Sequence, residues 1–236
     1  MAGPGASRRQ APDAALVEQS HAIPDAAEGL ALMVWRSLLQ SLATSAIERP
    51  LALESLLARL PRLVGPGRVP TEGRDRAELL AALELALATP GPAVVATRVG
   101  AATREDAVLL HLVALVLDVD AQNRSRPPGT EPVALVRGAV RHVSRALAGV
   151  LADRHPGRSV EVRIPPYAAV QCAIGDPGPR HTRGTPPNVV ETDAITFLGL
   201  AGGALSWSAA VASGAVHASG LRADLSSVLP LTVVRD

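Results

Sequence analysis

The chain has 236 residues, 47% of them hydrophobic and 19% charged, a balance that excludes disorder over most of its length. With 23 Lys and Arg against 22 Asp and Glu, the formal net charge is +1, so no general electrostatic pull toward nucleic acid or an anionic membrane is expected. All of these basic residues are arginine, which excludes lysine Schiff-base chemistry, and the single cysteine, Cys172, excludes an intramolecular disulfide and a Cys-rich zinc site.

Residues 1–24, with Pro4, Pro12, Pro24 and scattered charge, read as a disordered leader that also contains His21. They lack the apolar segment of a signal peptide. The longest strongly apolar run, Ala107 to Leu117, is interrupted by His111 and falls short of the ~20 residues that span a bilayer. The expectation is a soluble, cytoplasmic protein with no stable membrane insertion.

From Asp25 to Leu42 the residues Leu30, Met33, Val34, Leu38 and Leu42 recur at helical spacing, and Asp25 with Glu28 resembles a capping box. A second helix is predicted from about Leu51 to Leu60, stopped by Pro61, and residues 64–73 form a loop by composition. Asp75 to Ala88 reads as a third helix with Leu79, Leu80, Leu83 and Leu87 on one stripe. A short extended piece over Ala93–Val99 leads to a fourth helix, Thr103 to Asn123, capped by Thr103 with Asp106 and apolar nearly all round. Four such helices predict a bundle over residues 25–124.

Residues 125–130 (SRPPGT) read as a linker. Beyond it, Pro132–Asp153 is an amphipathic helix, and Val160–Ile164, Ala168–Ile174 and Asn188–Thr192 are strands. Short helices are predicted over Ala194–Ala201 and Ser206–Ser213, then a strand at Ala215–Ala218 and a last helix from Arg222 to Leu229. The fold class is α+β, with a mainly antiparallel sheet over residues 131–236.

Residues 180–185 (RHTRGT) carry the strongest local chemical signal. Arg180, His181 and Arg183 concentrate positive charge in a Gly- and Pro-rich turn, where guanidinium groups grip carboxylate or phosphate bidentately. Thr185 and Asn188 complete the candidate ligand-binding set. The competing reading is structural, with Glu191 or Asp193 neutralising these arginines.

His111 reads either as a metal ligand with Asp118 seven residues on, or as a core histidine. Asp118 and Asp120 read as helix-end residues that cap, pair with Arg124 or face solvent. Cys172 reads as a small buried hydrophobe, the other reading being a thiolate activated by the arginine loop. Ser206 and Ser208 lack a nucleophile elbow. Tyr167, Phe197 and Trp207 are expected to pack the C-terminal core, and Gly199, Gly202 and Gly203 mark helix ends.

The run from Thr192 to Leu231 (TDAITFLGLAGGALSWSAAVASGAVHASGLRADLSSVLPL) resembles the C-terminal part of the sterol carrier protein superfamily. The preceding stretch, with PPYAAVQC and PRHTRGTPPNVVETD, resembles the bacterial sterol-carrier-family proteins of actinobacteria. The resemblance implies a sheet covered by helices on one face, enclosing an apolar tunnel for a lipid or acyl ligand. Arg180, His181 and Arg183 would then meet an anionic headgroup.

Residues 25–124 are similar to the mycothiol-dependent maleylpyruvate isomerase family, a DinB-like four-helix bundle that holds zinc with a His on an early helix and a Glu-x-x-x-His pair on the last. The matching positions here are Met33, Ala114 and Asp118. Ala cannot ligate and Met suits zinc poorly, so the resemblance implies a degenerate metal site and no catalytic residues. Three readings result: a non-catalytic binder of an apolar or amphipathic small molecule without cofactor; a mycothiol- and zinc-dependent isomerase or transferase; and a scaffold that forms a homodimer through its helices.

Overall fold

The computed structural model describes residues 11–24, 29–63, 76–175 and 188–232. Its first element is a helix, α1 (Pro12–His21), where a disordered leader is predicted. The periodicity that should reveal it is weak. Its buried face holds Ala15 and Leu16 beside Gln19 and Ser20, two apolar and two polar residues. Ser20 Oγ accepts a hydrogen bond from Trp35 Nε1 at 2.8 Å, and the Gln19 amide is spent on the distant backbone groups of Ala134 and Val136. Polar anchoring therefore orders α1 as much as apolar burial does. His21, at its end, meets Glu84 at 2.6 Å.

Helix α2 (Gly29–Ala43) buries Ala31, Val34, Trp35, Leu38 and Leu42. The Asp25–Glu28 capping pattern lies outside the described residues. The predicted second helix is broken into α3 (Leu53–Leu57) and α4 (Leu60–Leu63). Pro61 falls in the first turn of α4, where its missing N–H costs nothing, so it opens a helix instead of ending one. The third helix, α5, spans Arg76–Ala88.

The expected extended piece is half of a hairpin, β1 (Val94–Thr97) with β2 (Gly100–Thr103), antiparallel. Thr97 Oγ1 donates to Gly100 O at 2.6 Å and accepts from Val99 N, which closes the turn. Helix α6 (Arg104–Ser125) has the predicted cap: Thr103 Oγ1 accepts from Asp106 N at 3.0 Å and donates to its carboxylate at 2.7 Å. It is also the most enclosed helix, with residues 107–116 buried apart from Leu109.

Helix α7 (Arg137–Arg154) starts five residues later than predicted. The chain before it is held extended by side chains. Asn123 bonds both the N–H and C=O of Val133, while Gln19 takes Ala134 O and Val136 N. Backbone groups engaged in that way cannot join a helix.

Strands β3 (Val160–Ile164) and β4 (Ala168–Cys172) form an antiparallel hairpin, with Val160 opposite Cys172. Strand β5 (Val189–Thr192) runs parallel to β3, and β6 (Val216–Ser219) antiparallel to β5. The sheet order is β4-β3-β5-β6, a mixed sheet in which two of the three pairings are antiparallel, as expected in the main, and the β3–β5 pairing is parallel. Between β5 and β6 lie α8 (Ala194–Gly202) and α9 (Trp207–Ala212). Asp193 caps α8 and Ser206 caps α9.

The predicted helix over Arg222–Leu229 is absent; the segment is a series of turns. Asp224 Oδ1 accepts from Ser226 N, a local bond that competes with helix, and Pro230 disfavours helical backbone at Leu229.

Alternation on β3 turns Val160, Val162 and Ile164 inward, into the apolar cluster that also holds the buried residues of α7 and α8. One continuous apolar cluster runs from Leu16 and Trp35 through α6 and α7 to Phe197 and Leu231. Tyr167 and Trp207 are half-buried and pack at its margin. Two arginines tie distant segments together. Arg124 bonds Ile195 O at 2.9 Å, and Arg154 reaches both Leu231 O and Glu54 O.

Candidate functional site

Of the sequence-predicted ligand residues, Arg180, His181, Arg183 and Thr185 lie outside the described residues. Asn188 is described and buried. Its Nδ2 donates to Ser159 O at 2.7 Å and its Oδ1 accepts from Arg222 N at 2.9 Å. Its amide therefore clamps β3 to the segment after β6. The carboxylates considered as partners for the arginine loop have other work. Glu191 lies 3.8 Å from Arg163 on the outer face of the sheet, and Asp193 accepts from Ile195 N and Thr196 N at the start of α8.

His111 is fully buried on α6, with Nδ1 2.6 Å from Ala107 O and Nε2 3.0 Å from Ser37 Oγ. Nδ1–H donating to the carbonyl leaves Nε2 to accept the Ser37 hydroxyl proton, which is the neutral imidazole. Burial lowers its pKa from 6.5 to about 4. Both ring nitrogens are used, as a core histidine requires. Asp118 accepts from Gln122 Nε2 at 2.5 Å, and burial raises its pKa. Asp120 pairs with Arg124 at 2.8 Å.

Met33 is half-buried and Ala114 buried at the remaining positions of the zinc pattern. Among the described residues no three His, Cys, Asp or Glu side chains come together, so these residues do not fit a zinc ion. Cys172 is buried at the end of β4, and its thiol pKa is pushed up to about 11. It is therefore a thiol at neutral pH, not a thiolate nucleophile.

The described C-terminal region contains a groove of about 570 Å³ between the end of α8, the start of α9 and the turns after Asp224. The sequence favours it locally in three ways. Gly203 ends α8 with φ +83°, the left-handed cap that glycine adopts without strain, and turns the chain out toward Leu205. Ser206 then starts α9 and presents Trp207 at its first position. Finally, Leu231 N donates to Ala201 O at 2.8 Å, which brings Leu229 and Pro230 against α8.

The apolar wall consists of Leu200, Leu205, Trp207, Leu229 and Pro230. Ser206, Ser208, Asp224 and Ser226 also line it, and all four are exposed. The groove can therefore take an apolar body along its wall and leave a polar end in water. Sequence reading missed these wall residues because it placed a helix where the wall is built from turns. Trp207, an aromatic in a chain with 2% aromatics and immediately after a helix cap, was the available signal.

Residues 136–231 match the family model described as bacterial SCP ortholog, the sterol carrier family. The matched part is an SCP-like domain. The match runs from the start of α7 to the last turns, less than half of the chain, and takes in the whole groove. The resemblance of the C-terminal residues to that family is thus supported. The N-terminal region has no family assignment. No curated protein matches the chain. Among the described residues no helix is long and apolar enough to cross a membrane.

Proposed function

We propose that the SCP-like domain binds an amphipathic small molecule with a lipid or acyl chain, seated against Trp207 in the groove between α8, α9 and the C-terminal turns. The carrying observation is that this groove, with an apolar wall and a polar rim, lies inside the segment that matches the bacterial SCP ortholog model. Arg180, His181 and Arg183, with Thr185, would meet an anionic headgroup, and the Asn188 clamp would fix the end of their segment. The helices before α7 would support the domain as a bundle that has lost the metal-binding positions of its isomerase-like relatives.

Native mass spectrometry of freshly purified protein, before and after denaturation, tests this reading. The expected result is a lost mass that matches a lipid or acyl species. Replacement of Trp207 by alanine should weaken binding of an added fatty acid about tenfold, the loss of one aromatic wall. Equal masses together with no saturable fatty-acid binding would overturn the proposal.

A further inference from the structure

Several of the described arginines grip backbone carbonyls. Arg59 donates to Val99 O, Arg104 to Ala86 O and Thr89 O, and Arg124 and Arg154 to the carbonyls described above. On the outward face of α7, Arg137 departs from that pattern. Arg137, Arg141 and Arg145 stand one helical turn apart, so the three side chains share a face. They line a cavity of about 310 Å³ closed by α1 and by the β3–β4 turn.

Among the described residues Glu18 is the single carboxylate on its wall, against three guanidinium groups. Arg145 is anchored by Nε to Tyr167 O at 2.9 Å, which sets its position at one end. At the other end Arg137 is exposed, with no protein acceptor and no carboxylate in ion-pair range among the described residues. Tyr167 and Pro166 complete the wall.

Helix electrostatics sharpen the point. The first turn of α7 has no acidic residue and no side-chain cap, yet two arginines stand in its first two turns, at the positive end of the helix dipole. Arg137, in that first turn, therefore gains from an anion in addition to the Glu18 carboxylate already on the wall. Gly138, whose backbone N–H belongs to the unsatisfied first turn, lines the same cavity.

We propose that this cavity is a phosphate site, with Arg137, Arg141 and Arg145 as the charged wall and the Gly138 N–H and Tyr167 hydroxyl as further donors. Three guanidinium forks suit a doubly charged tetrahedral oxyanion. The site is separate from the Trp207 groove, and the proposal does not rest on the acyl reading.

The test is titration of the full chain with inorganic phosphate at low ionic strength, followed by calorimetry and by the Gly138 amide resonance. One saturable site is expected, with the Gly138 amide shifting in step. Arg137→Ala should weaken it about tenfold, as loss of a charge-assisted contact implies, whereas Arg137→Lys should weaken it less. Glu18→Gln should tighten it. Arg137 is exposed, so its replacement leaves the core intact, and fatty-acid binding should be unchanged in that variant.

Vesicles of phosphatidylglycerol and of phosphatidylcholine separate the two sources of phosphate. Arg137-dependent binding to the anionic vesicles would identify a lipid headgroup, and binding of free phosphate without vesicle binding would identify a soluble phosphate compound. Absence of binding to either probe, or phosphate binding that Arg137→Ala leaves unchanged, would overturn the proposal.

Discussion

The helices before α7 and the SCP-like domain dispose of their polar side chains differently. In the helical region polar groups are buried and consumed in pairs: Trp35 with Ser20, His111 with Ser37, and Gln19 with the backbone before α7. In the SCP-like domain the polar groups beside the groove, Ser206, Ser208, Asp224 and Ser226, are exposed next to a half-buried Trp207. The first arrangement stabilises a packed interior, because a satisfied buried pair is costly to disturb. The second sets solvent-facing polar groups, themselves locally hydrogen-bonded, beside an apolar wall. That contrast is the ground on which the proposed ligand is assigned to the C-terminal part.

The strongest way to break this comparison is through its two tryptophans, one in each region. Trp35 is fully buried, and Trp35→Ala should cost about 3–5 kcal/mol from cavity formation and the orphaned Ser20 hydroxyl. Because one apolar cluster joins both regions, the milder variants Trp35→Phe and Trp207→Phe should each show one urea transition, the fluorescence of the remaining tryptophan and the far-UV circular dichroism of the same variant sharing one midpoint. Two separated midpoints would show that the regions fold independently.

The buried pair at His111 adds a pH dependence. Its pKa is lowered from 6.5 to about 4 by burial, so between those values the unfolded chain carries a proton that the folded protein excludes. Stability present above pH 6.5 is then lost as the pH falls toward 4, by on the order of 3 kcal/mol. His155, lowered by burial and by Arg154, contributes in the same direction. Urea midpoints across pH 4–7 should slope less steeply in His111→Leu than in the unchanged protein.

The junction between the regions is sharpened by Arg124. Its side chain lies over Gly199, where an added Cβ would come 2.6 Å from the guanidinium, and it pairs with the buried Asp120. Arg124→Ala should cost about 2 kcal/mol, chiefly from leaving that carboxylate without its partner. Gly199→Ala should cost less, since the arginine can move. The smallest effect concerns Cys172: with its pKa near 11 and its sulfur buried, the native protein should resist iodoacetamide at pH 7 and react only after unfolding.

Elements with a clear period were legible in the sequence. Strand β3 alternates cleanly over Val160–Ile164, and α6 combines an all-round apolar surface with the Thr103–Asp106 cap. What escaped was held by side-chain-to-backbone bonds between distant residues. Helix α1 depends on Gln19 and Ser20, and the late start of α7 depends on Asn123 and Gln19. No local pattern records such a bond. The groove was legible only through Trp207, because Leu200 and Leu205 meet Leu229 across one segment, Arg222–Leu229, that was read as helix and is built from turns. The α7 arginines stand at four-residue spacing, a pattern that any solvated face of an amphipathic helix shares; Glu18 and Tyr167 come beside them only through the fold.

The central claim, a ligand against Trp207 and none within the helical region, is tested most directly by titrating the full chain with a brominated fatty acid. Bromine quenches tryptophan only at close range. We expect saturable quenching in Trp35→Phe, where Trp207 alone reports, and none in Trp207→Phe, where Trp35 alone reports. Quenching of Trp35 with Trp207 unaffected would contradict the account and move the binding site into the helices.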